Sequence, residues 1–142
     1  MEWLYNNNKI DNIDSISDDI IGFVYKITNN KTGEYYIGKK NLYSIRKRKF
    51  GKKEINSLTD KRLKKYEMVK KQSDWLTYKS SNKLVQEWEY NDTIREILHF
   101  CTSSKKLTYY ELKEQILHNV LLDDKSLNEN LMGSFFRKDL IT

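Results

Sequence analysis

The chain has 142 residues, which is enough for one domain with a modest hydrophobic core. Its formal net charge is +6, and because it contains no apolar run of 18 residues, we expect no membrane span. The acidic N-terminus is unlike a secretory signal, and the single cysteine, Cys101, fits a reducing cytosol. The first predicted element is an irregular lead-in over residues 1–19, in which Trp3, Leu4 and Tyr5 are expected to dock on the body.

A β-hairpin is predicted over residues 20–40. Apolar side chains from Ile21 to Ile27 alternate with the period of a strand, and a second strand is predicted from Tyr35 to Lys39. Between the two strands, Asn29 and Gly33 tolerate the positive φ that a tight turn requires. We expect the rest of the chain to be organised around this hairpin.

The segment that follows the hairpin is strongly basic. Between Lys39 and Lys71 it holds fourteen Lys and Arg residues against three acidic ones, whereas the rest of the chain is net acidic. We predict a loop over residues 41–58, in which Gly51 breaks any helix, and a helix over residues 59–72. A block of this kind attracts a polyanion, and the apolar residues interleaved with the lysines argue against a purely disordered loop.

The middle of the chain carries three shorter predictions. Ser73-Asp74 is a second point at which a helix can be capped. Ser80 or Ser81 is then predicted to cap a short helix that contains Val85. A third strand is predicted from Thr93 to Cys101, where apolar residues are frequent.

The best-defined helix is predicted to begin at Thr108. The residues from Thr108 to Glu111 form a capping-box pattern, in which the threonine hydroxyl and the glutamate each satisfy a backbone N–H. Apolar residues then recur at every fourth position, so one face should be buried. That face carries Leu112, Ile116 and Val120. A mixed tail over residues 123–142 is expected to pack back through Phe135-Phe136.

The hairpin carries two short motifs, Gly22-Phe23-Val24-Tyr25 and Tyr36-Ile37-Gly38, and together they resemble the paired signature of the GIY-YIG nucleases. The first motif has Phe-Val where the name motif has one Ile, and the second is intact. The order of predicted elements over residues 20–130 also resembles that family. The stretch from Ser73 to Ser81 is similar to a subgroup carried mainly by bacteriophages. The alternative is an ordinary edge hairpin with amphipathic tyrosines.

The resemblance implies a fold and a metal site. The fold is an α/β (α+β) domain over residues 1–142, with a three-stranded, mainly antiparallel sheet flanked by helices and a basic insertion at about 39–72. Glu114 resembles the family's acidic metal ligand, which implies Mg²⁺ or Mn²⁺ as cofactor. Asn128 resembles the late asparagine that closes the site, whereas Glu111 is interpreted as part of the capping box. One acidic ligand is a reasonable Mg²⁺ site, because Mg²⁺ keeps most of its hydration.

The resemblance also implies two catalytic tyrosines and a catalytic arginine. Tyr25 and Tyr36 would meet across the hairpin, and either could be the general base if nearby cations or metal lower a pKa that is ordinarily about 10. Arg46 lies at a common family distance after the second motif. Arg48 and Arg62 remain open alternatives, because the basic stretch resembles an insertion.

Members of the family often place a histidine or tyrosine about one turn after that arginine. Neither histidine lies in that region, since His99 is on the predicted third strand and His118 is on the predicted capped helix. We interpret His99 as structural and His118 as part of a solvated helix face. Tyr78 is the candidate partner instead.

These features predict a metal-dependent DNA endonuclease that hydrolyses phosphodiester bonds, either homing-like or aimed at a competing genome. The alternative is a non-cleaving DNA-binding module with a degenerate hairpin, whereas an RNA-binding domain lacks any ribonucleoprotein motif. No separate DNA-reading domain is visible, so specificity should come from the basic insertion or from a homodimer, or be low. The residues predicted to contact DNA are Lys39, Lys40, Arg48, Lys49, Lys52, Lys53, Arg62, Lys64 and Lys65.

Overall fold

The computed structural model describes residues 2–57 and 65–141. Strands and helices are numbered in chain order. The strands are β1 (Trp3–Tyr5), β2 (Asn8–Ile10), β3 (Gly22–Asn29), β4 (Tyr35–Asn41), β5 (Tyr43–Lys49), β6 (Tyr66–Gln72), β7 (Thr93–Cys101), β8 (Asn130–Leu131) and β9 (Phe135–Phe136). The α-helices are α1 (Lys52–Asn56), α2 (Lys83–Gln86), α3 (Ser104–Leu117) and α4 (Arg137–Leu140).

The main sheet has five strands in the order β2-β1-β7-β3-β4. The predicted hairpin is confirmed as β3 and β4, and the predicted third strand is confirmed as β7, which pairs antiparallel with β3. The expectation of a three-stranded sheet was wrong, because the lead-in adds two strands. β1 runs parallel to β7, and β2 pairs antiparallel with β1. Burial of Trp3 explains this extension, since its indole N–H donates to the Trp75 carbonyl at 2.7 Å.

The two faces of the sheet bury different clusters. On one face, aromatic side chains pack together with edge-to-face geometry, including Trp3, Phe23 and Trp75. On the other face, α3 covers a smaller aliphatic cluster that includes Val24 and Ile37. The candidate active site lies at the edge strand β4, whose side chains alternate between these two faces.

The predictions for the basic segment were wrong over the described residues. Instead of a loop and a helix, β5 and β6 form an antiparallel two-stranded ribbon, and Gly51 precedes the short helix α1. The predicted helix over 59–72 is a strand from Tyr66 onward, and residues 58–64 lie outside the described part of the chain. Lysines and arginines occupy both faces of the ribbon, so the apolar alternation that normally reveals a strand is missing.

The predicted start of the long helix was also wrong. Ser103 caps α3 by accepting from the Lys106 N–H at 3.2 Å, so Thr108 lies inside the helix and the capping box does not exist. The predicted buried face is only partly buried, because Ile116 is 58 % exposed and Val120 lies beyond the helix. The residues of α3 that are buried are Leu107 and Gln115.

Three smaller expectations were corrected as well. Asn82, rather than Ser80 or Ser81, caps α2 by accepting from two backbone N–H groups. Asp74 begins a turn and not a helix. Phe135 and Phe136 do not pack into the core: they form the exposed strand β9, which pairs with β8.

The outer edge of β4 is covered by the segment that follows α3. Tyr35 forms a parallel bridge with Ser126, and its carbonyl accepts from the Leu127 N–H at 2.8 Å. Arg137 holds this segment in place by donating to the carbonyls of Ser126 and Asn128 at 2.8 and 2.9 Å. The covering segment satisfies backbone groups that an open sheet edge would leave unpaired.

Candidate active site at the edge of β4

Three tyrosines cluster on the aromatic face of the hairpin. The rings of Tyr25 and Tyr36, on β3 and β4, have centroids 6.4 Å apart, and the ring of Tyr78 lies 5.8 Å from that of Tyr25. The register pairs Tyr25 with Gly38, and a Cβ on that glycine would lie 2.6 Å from the Tyr25 hydroxyl oxygen. Gly38 is therefore required for the buried tyrosine to fit beneath β4.

The two hairpin tyrosines differ in their surroundings. Tyr25 is fully buried, and burial raises the pKa of its hydroxyl far above the ordinary value, with Tyr78 adding to the shift and a hydrogen bond with Ser80 opposing it. Tyr36 is half-buried, and burial also raises its pKa, partly opposed by a hydrogen bond with Ser81. Both hydroxyls therefore hold their protons at neutral pH, and Tyr36 is the more accessible of the two.

Ser80 holds an unusual backbone conformation beside these tyrosines. Its φ is 86°, in a region that non-glycine residues rarely adopt, and its side chain is buried. A neighbouring hydrogen bond helps to hold this backbone conformation, because the Gln86 side chain donates to the Ser80 carbonyl at 2.7 Å. Strained residues of this kind cluster at functional sites. Sequence reasoning assigned Ser80 only to a helix cap.

A cavity of about 360 Å³ opens beside Tyr36. It lies between the edge of β4, α3, the residues just before α2, and the stretch of residues 127–132 that follows α3. Its walls include Tyr36, Ser81, Glu111, Gln115, Asn128 and Glu129. The mixture of hydroxyl, amide and carboxylate groups makes it a polar site that is open to solvent and large enough for a phosphate group with water.

Glu111 is the carboxylate that faces this cavity from α3. Burial raises its pKa, and the positive charge of Lys39 partly opposes that shift. Lys39 is anchored to the same helix, because its Nζ donates to the Thr108 hydroxyl at 2.9 Å. The charge of Glu111 also contributes to the raised pKa of Tyr36. Glu111, Lys39 and Tyr36 thus form one electrostatically linked group.

Glu114 occupies a different place. Its carboxylate lies between two histidines, at 2.7 Å from Nε2 of His99 and 3.4 Å from Nδ1 of His118. His99 also packs against the ring of Tyr110, with centroids 4.7 Å apart. The structure therefore ties Glu114 into a histidine cluster with β7 and does not bring it into the cavity wall with Tyr36. His118 is half-buried and part of this cluster, so its interpretation as a solvated residue was wrong.

Asn128 lies at the cavity, as its resemblance to the site-closing asparagine implies. Its side-chain oxygen accepts from the Ile37 N–H at 3.0 Å, and its amide donates to the Ile37 carbonyl at 2.8 Å. The Ile37 carbonyl also accepts from Gln115 at 3.1 Å. Because its polar atoms are used by the backbone between Tyr36 and Gly38, Asn128 is suited to position β4.

The predicted arginines are not brought to the cavity. Arg46 is exposed on β5, and Arg48 forms ion pairs with Glu54, at 2.9 Å, and with Glu67. Arg62 lies outside the described residues. Among the cavity-wall residues in the described ranges there is no arginine, and Lys39 is the cation electrostatically linked to Glu111.

The residues predicted to contact DNA fall into two groups. Lys39 and Lys40 lie at the end of β4, where Lys40 pairs with Asp74 at 2.5 Å and lies 4.0 Å from the centre of the Tyr78 ring. The others in the described ranges are exposed on or near the ribbon, and Arg62 and Lys64 lie outside those ranges. The ribbon group comprises Arg48, Lys49, Lys52, Lys53 and Lys65.

The donor groups of the cavity suit a metal ion that keeps most of its water ligands better than one whose ligands all come from the protein. Among residues 2–57 and 65–141, no group of three or more His, Cys, Asp or Glu side chains could hold a metal together. Two carboxylates line this open polar space, Glu111 from α3 and Glu129 from the segment after α3, and Glu129 lies 3.8 Å from Nε of Arg137. So small a set of donors is one that Mg²⁺ accepts while it retains several waters.

A protein-family model matches most of the chain. Residues 3–136 match the family model described as "Putative endonuclease segE, GIY-YIG domain". No match was found among curated proteins or among solved structures. Within the described residues, no helix combines the length and apolar character needed to cross a membrane.

Proposed function

The chain belongs to the SegE-type GIY-YIG endonuclease domain family, and from that premise we propose that it is a metal-dependent enzyme that hydrolyses phosphodiester bonds in DNA. One observation carries the proposal: Tyr36 and Glu111 line the same solvent-open cavity at the edge of β4. A buried ion pair or an ordinary edge hairpin would not need an accessible carboxylate beside an accessible tyrosine hydroxyl.

We assign the metal-holding role to Glu111 rather than to Glu114. Glu111 faces the cavity, whereas Glu114 is held by His99 and His118. Glu111 does not cap the helix, because Ser103 caps α3. Glu111 would hold the Mg²⁺ ion, and the bound ion would supply positive charge to stabilise the negative charge that develops on the scissile phosphate.

The other residues in and around the cavity have roles that follow from their contacts. Tyr36 keeps its proton at neutral pH, so its hydroxyl serves best as a hydrogen-bond donor that orients the scissile phosphate or the attacking water. Lys39 adds a cation beside Glu111, and its ammonium can contact a phosphate oxygen as a point charge. Tyr25 supports Tyr36 from beneath, and Asn128 sets the position of the β4 backbone.

A second candidate function has one observation in its favour. The described cavity wall contains no arginine, which the family resemblance implies for catalysis. A DNA-binding module that does not cleave would not need one. Lys39 in the site and the retained carboxylate of Glu111 favour cleavage over that alternative.

Incubation of the purified protein with supercoiled plasmid tests the proposal. With Mg²⁺ we expect conversion to nicked or linear DNA, and with EDTA we expect intact plasmid. A Glu111→Gln variant prepared in parallel controls for contaminating nucleases. Binding of DNA without any Mg²⁺- or Mn²⁺-dependent cleavage would contradict the proposal and support the non-cleaving module.

A further inference from the structure

The β5–β6 ribbon is an arm that leaves the body beside the candidate active site. Its root is fixed, because Leu42 is fully buried and its carbonyl accepts from the Ser73 N–H at 2.8 Å. Beyond that root, the described residues of the two strands pair with each other over seven positions and are mostly exposed. A two-stranded ribbon without a core is only marginally stable in water. Packing within the ribbon therefore does not explain why the protein has this arm.

The two faces of the ribbon differ in chemistry. The lysine–aromatic face comprises the odd-numbered residues of β5 and the even-numbered residues of β6. It carries Lys47, Lys49 and Lys70 and has no carboxylate within the two strands. The opposite face comprises the alternate residues of each strand, and there Arg48 is neutralised by Glu54 and Glu67.

Lysines and apolar groups are interleaved on the lysine–aromatic face. The Lys47 ammonium lies 4.5 Å from the centre of the Tyr66 ring, and that of Lys70 lies 3.8 Å from the Tyr43 ring. Between them, Ile45 is 65 % exposed and Met68 is 59 % exposed. Apolar side chains so exposed beside cations are suited to a partner that presents both phosphates and apolar base edges.

Lys39 links this face to the candidate active site. Tyr43, Ile45 and Lys70 form one side of an open cleft of about 780 Å³, and Lys39 and Lys40 form part of its other side. Lys39 in turn is the cation beside Glu111. A duplex that lay against the lysine–aromatic face would therefore run past the lysines of β4 toward the carboxylate.

The dimensions of the ribbon suit the major groove of B-form DNA. Seven residue pairs span roughly 20 Å, and two strands lie about 5 Å apart. The major groove is about 12 Å wide and admits a two-stranded β-ribbon. Lysines along the ribbon could then reach phosphates on the groove walls while the apolar residues between them meet the base edges.

We propose that the β5–β6 ribbon docks its lysine–aromatic face in the DNA major groove and places the duplex across the Glu111 cavity. This inference rests on the proposed function for the identity of DNA as the partner. One face of the ribbon would then contact the DNA directly, which is more specific than a general attraction of a basic segment to a polyanion.

Binding of a fluorescent B-form duplex in EDTA tests the proposal without cleavage. The test variant is Lys47→Ala/Lys70→Ala, and the matched control is Arg46→Ala/Lys71→Ala, which removes the same charge from the opposite face. We expect the test variant to weaken binding on the order of tenfold at 0.1 M salt and to lower the salt slope by about 1.8, at about 0.9 for each lost phosphate contact. The control should change both quantities much less, and Lys47→Arg/Lys70→Arg should bind like the unaltered protein. A melting curve on each variant checks the fold.

An RNA duplex of the same sequence and length separates groove docking from backbone tracking. The major groove of A-form RNA is too deep and narrow for side chains to read. We therefore expect weaker RNA binding that is insensitive to the Lys47→Ala/Lys70→Ala change. Equal losses from the two double variants, or equal RNA and DNA binding with equal losses, would overturn the proposal. Because binding in EDTA is independent of cleavage, face-specific binding by a protein that never cleaves would leave this inference intact and refute only the nuclease proposal.

Discussion

Asn128 and Ile37 are joined by two hydrogen bonds, one in each direction, so that a side chain from the tail takes the place of a sixth strand. The oxygen of Asn128 accepts from the Ile37 N–H at 3.0 Å, and its amide donates to the Ile37 carbonyl at 2.8 Å. Both residues are buried. Since Ile37 lies between Tyr36 and Gly38, this pair fixes the strand that carries the second motif.

Replacement of Asn128 should therefore destabilise the protein and slow cleavage together. Asn128→Ala leaves the buried Ile37 N–H without its acceptor, which costs about 1–3 kcal/mol of unfolding free energy. Urea denaturation measures that loss, with exposed Asn91→Ala as the control. An Asn128→Ala protein as stable as the control would contradict the positioning role.

Gly38 is predicted to be intolerant of a side chain because of Tyr25. A Cβ at position 38 would lie 2.6 Å from the Tyr25 hydroxyl oxygen, which cannot move freely because Tyr25 is buried. Gly38→Ala should cost about 1–3 kcal/mol through overpacking. Tyr25→Phe removes that oxygen and leaves the ring carbon Cζ, which would lie 2.8 Å from the Cβ, so it should recover only part of the loss in the double variant. A Gly51→Ala control, with no heavy atom nearer than 4.0 Å, should change stability little. Additive effects in the double variant would show that the contact is unimportant.

The hairpin and β7 could be predicted from the sequence because their burial is periodic or continuous, as at Phe23, Tyr25 and Ile27. The ribbon could not, because residues such as Arg46 and Lys47 are exposed on opposite faces and leave no apolar period. β1 was missed because a three-residue strand is too short to show one. Its stability comes from the distant contact between Trp3 and Trp75.

The sequence predicted that Tyr25 and Tyr36 meet across the hairpin, but it did not predict which glutamate of α3 lines the cavity. Glu111 and Glu114 are three residues apart on α3, so the choice between them depends on the rotation of the helix about its axis. The capping-box pattern at Thr108 assigned Glu111 to a backbone contact, whereas the residue that caps the helix is Ser103, which lies more than one turn before Thr108. Long-range contacts of Glu114 with His99 are invisible in a single sequence.

Loss of the Tyr36 hydroxyl should slow cleavage more than loss of the Tyr25 hydroxyl. Tyr36 lines the cavity, whereas Tyr25 is buried beneath it. If Tyr36 donates a hydrogen bond to the reacting phosphate or water, Tyr36→Phe should reduce the single-turnover rate about a hundredfold. Tyr25→Phe should act mainly through stability, and its rate at 25 °C should fall much less. Equal rates for Tyr36→Phe and the unaltered protein would remove Tyr36 from the reaction.

The raised pKa of Glu111 predicts a pH-dependent stability difference. Burial favours the protonated carboxyl in the folded state, so the folded protein binds the proton more tightly than the unfolded chain does. Stability from this group is therefore present at low pH and is lost as pH rises through the folded pKa.

Glu111→Gln, which stays neutral, should melt at a higher temperature than the unaltered protein at pH 7. The two melting temperatures should converge below about pH 4, where Glu111 holds its proton in both the folded and the unfolded state. Thermal melts at several pH values measure this, and a lower melting temperature for Glu111→Gln at pH 7 would contradict the assigned burial.

The most direct test of the account compares two glutamates that are one helical turn apart. Single-turnover cleavage of a saturating DNA substrate should be measured across a Mg²⁺ titration for the unaltered protein, Glu111→Gln and Glu114→Gln. We predict that Glu111→Gln lowers the rate on the order of a thousandfold with DNA binding retained, because it removes the carboxylate that holds the metal. Glu114→Gln should stay within about tenfold of the unaltered rate and lose stability instead, because it weakens the contacts with His99 and His118. Loss of cleavage in a folded Glu114→Gln protein, with Glu111→Gln still active, would contradict the assignment.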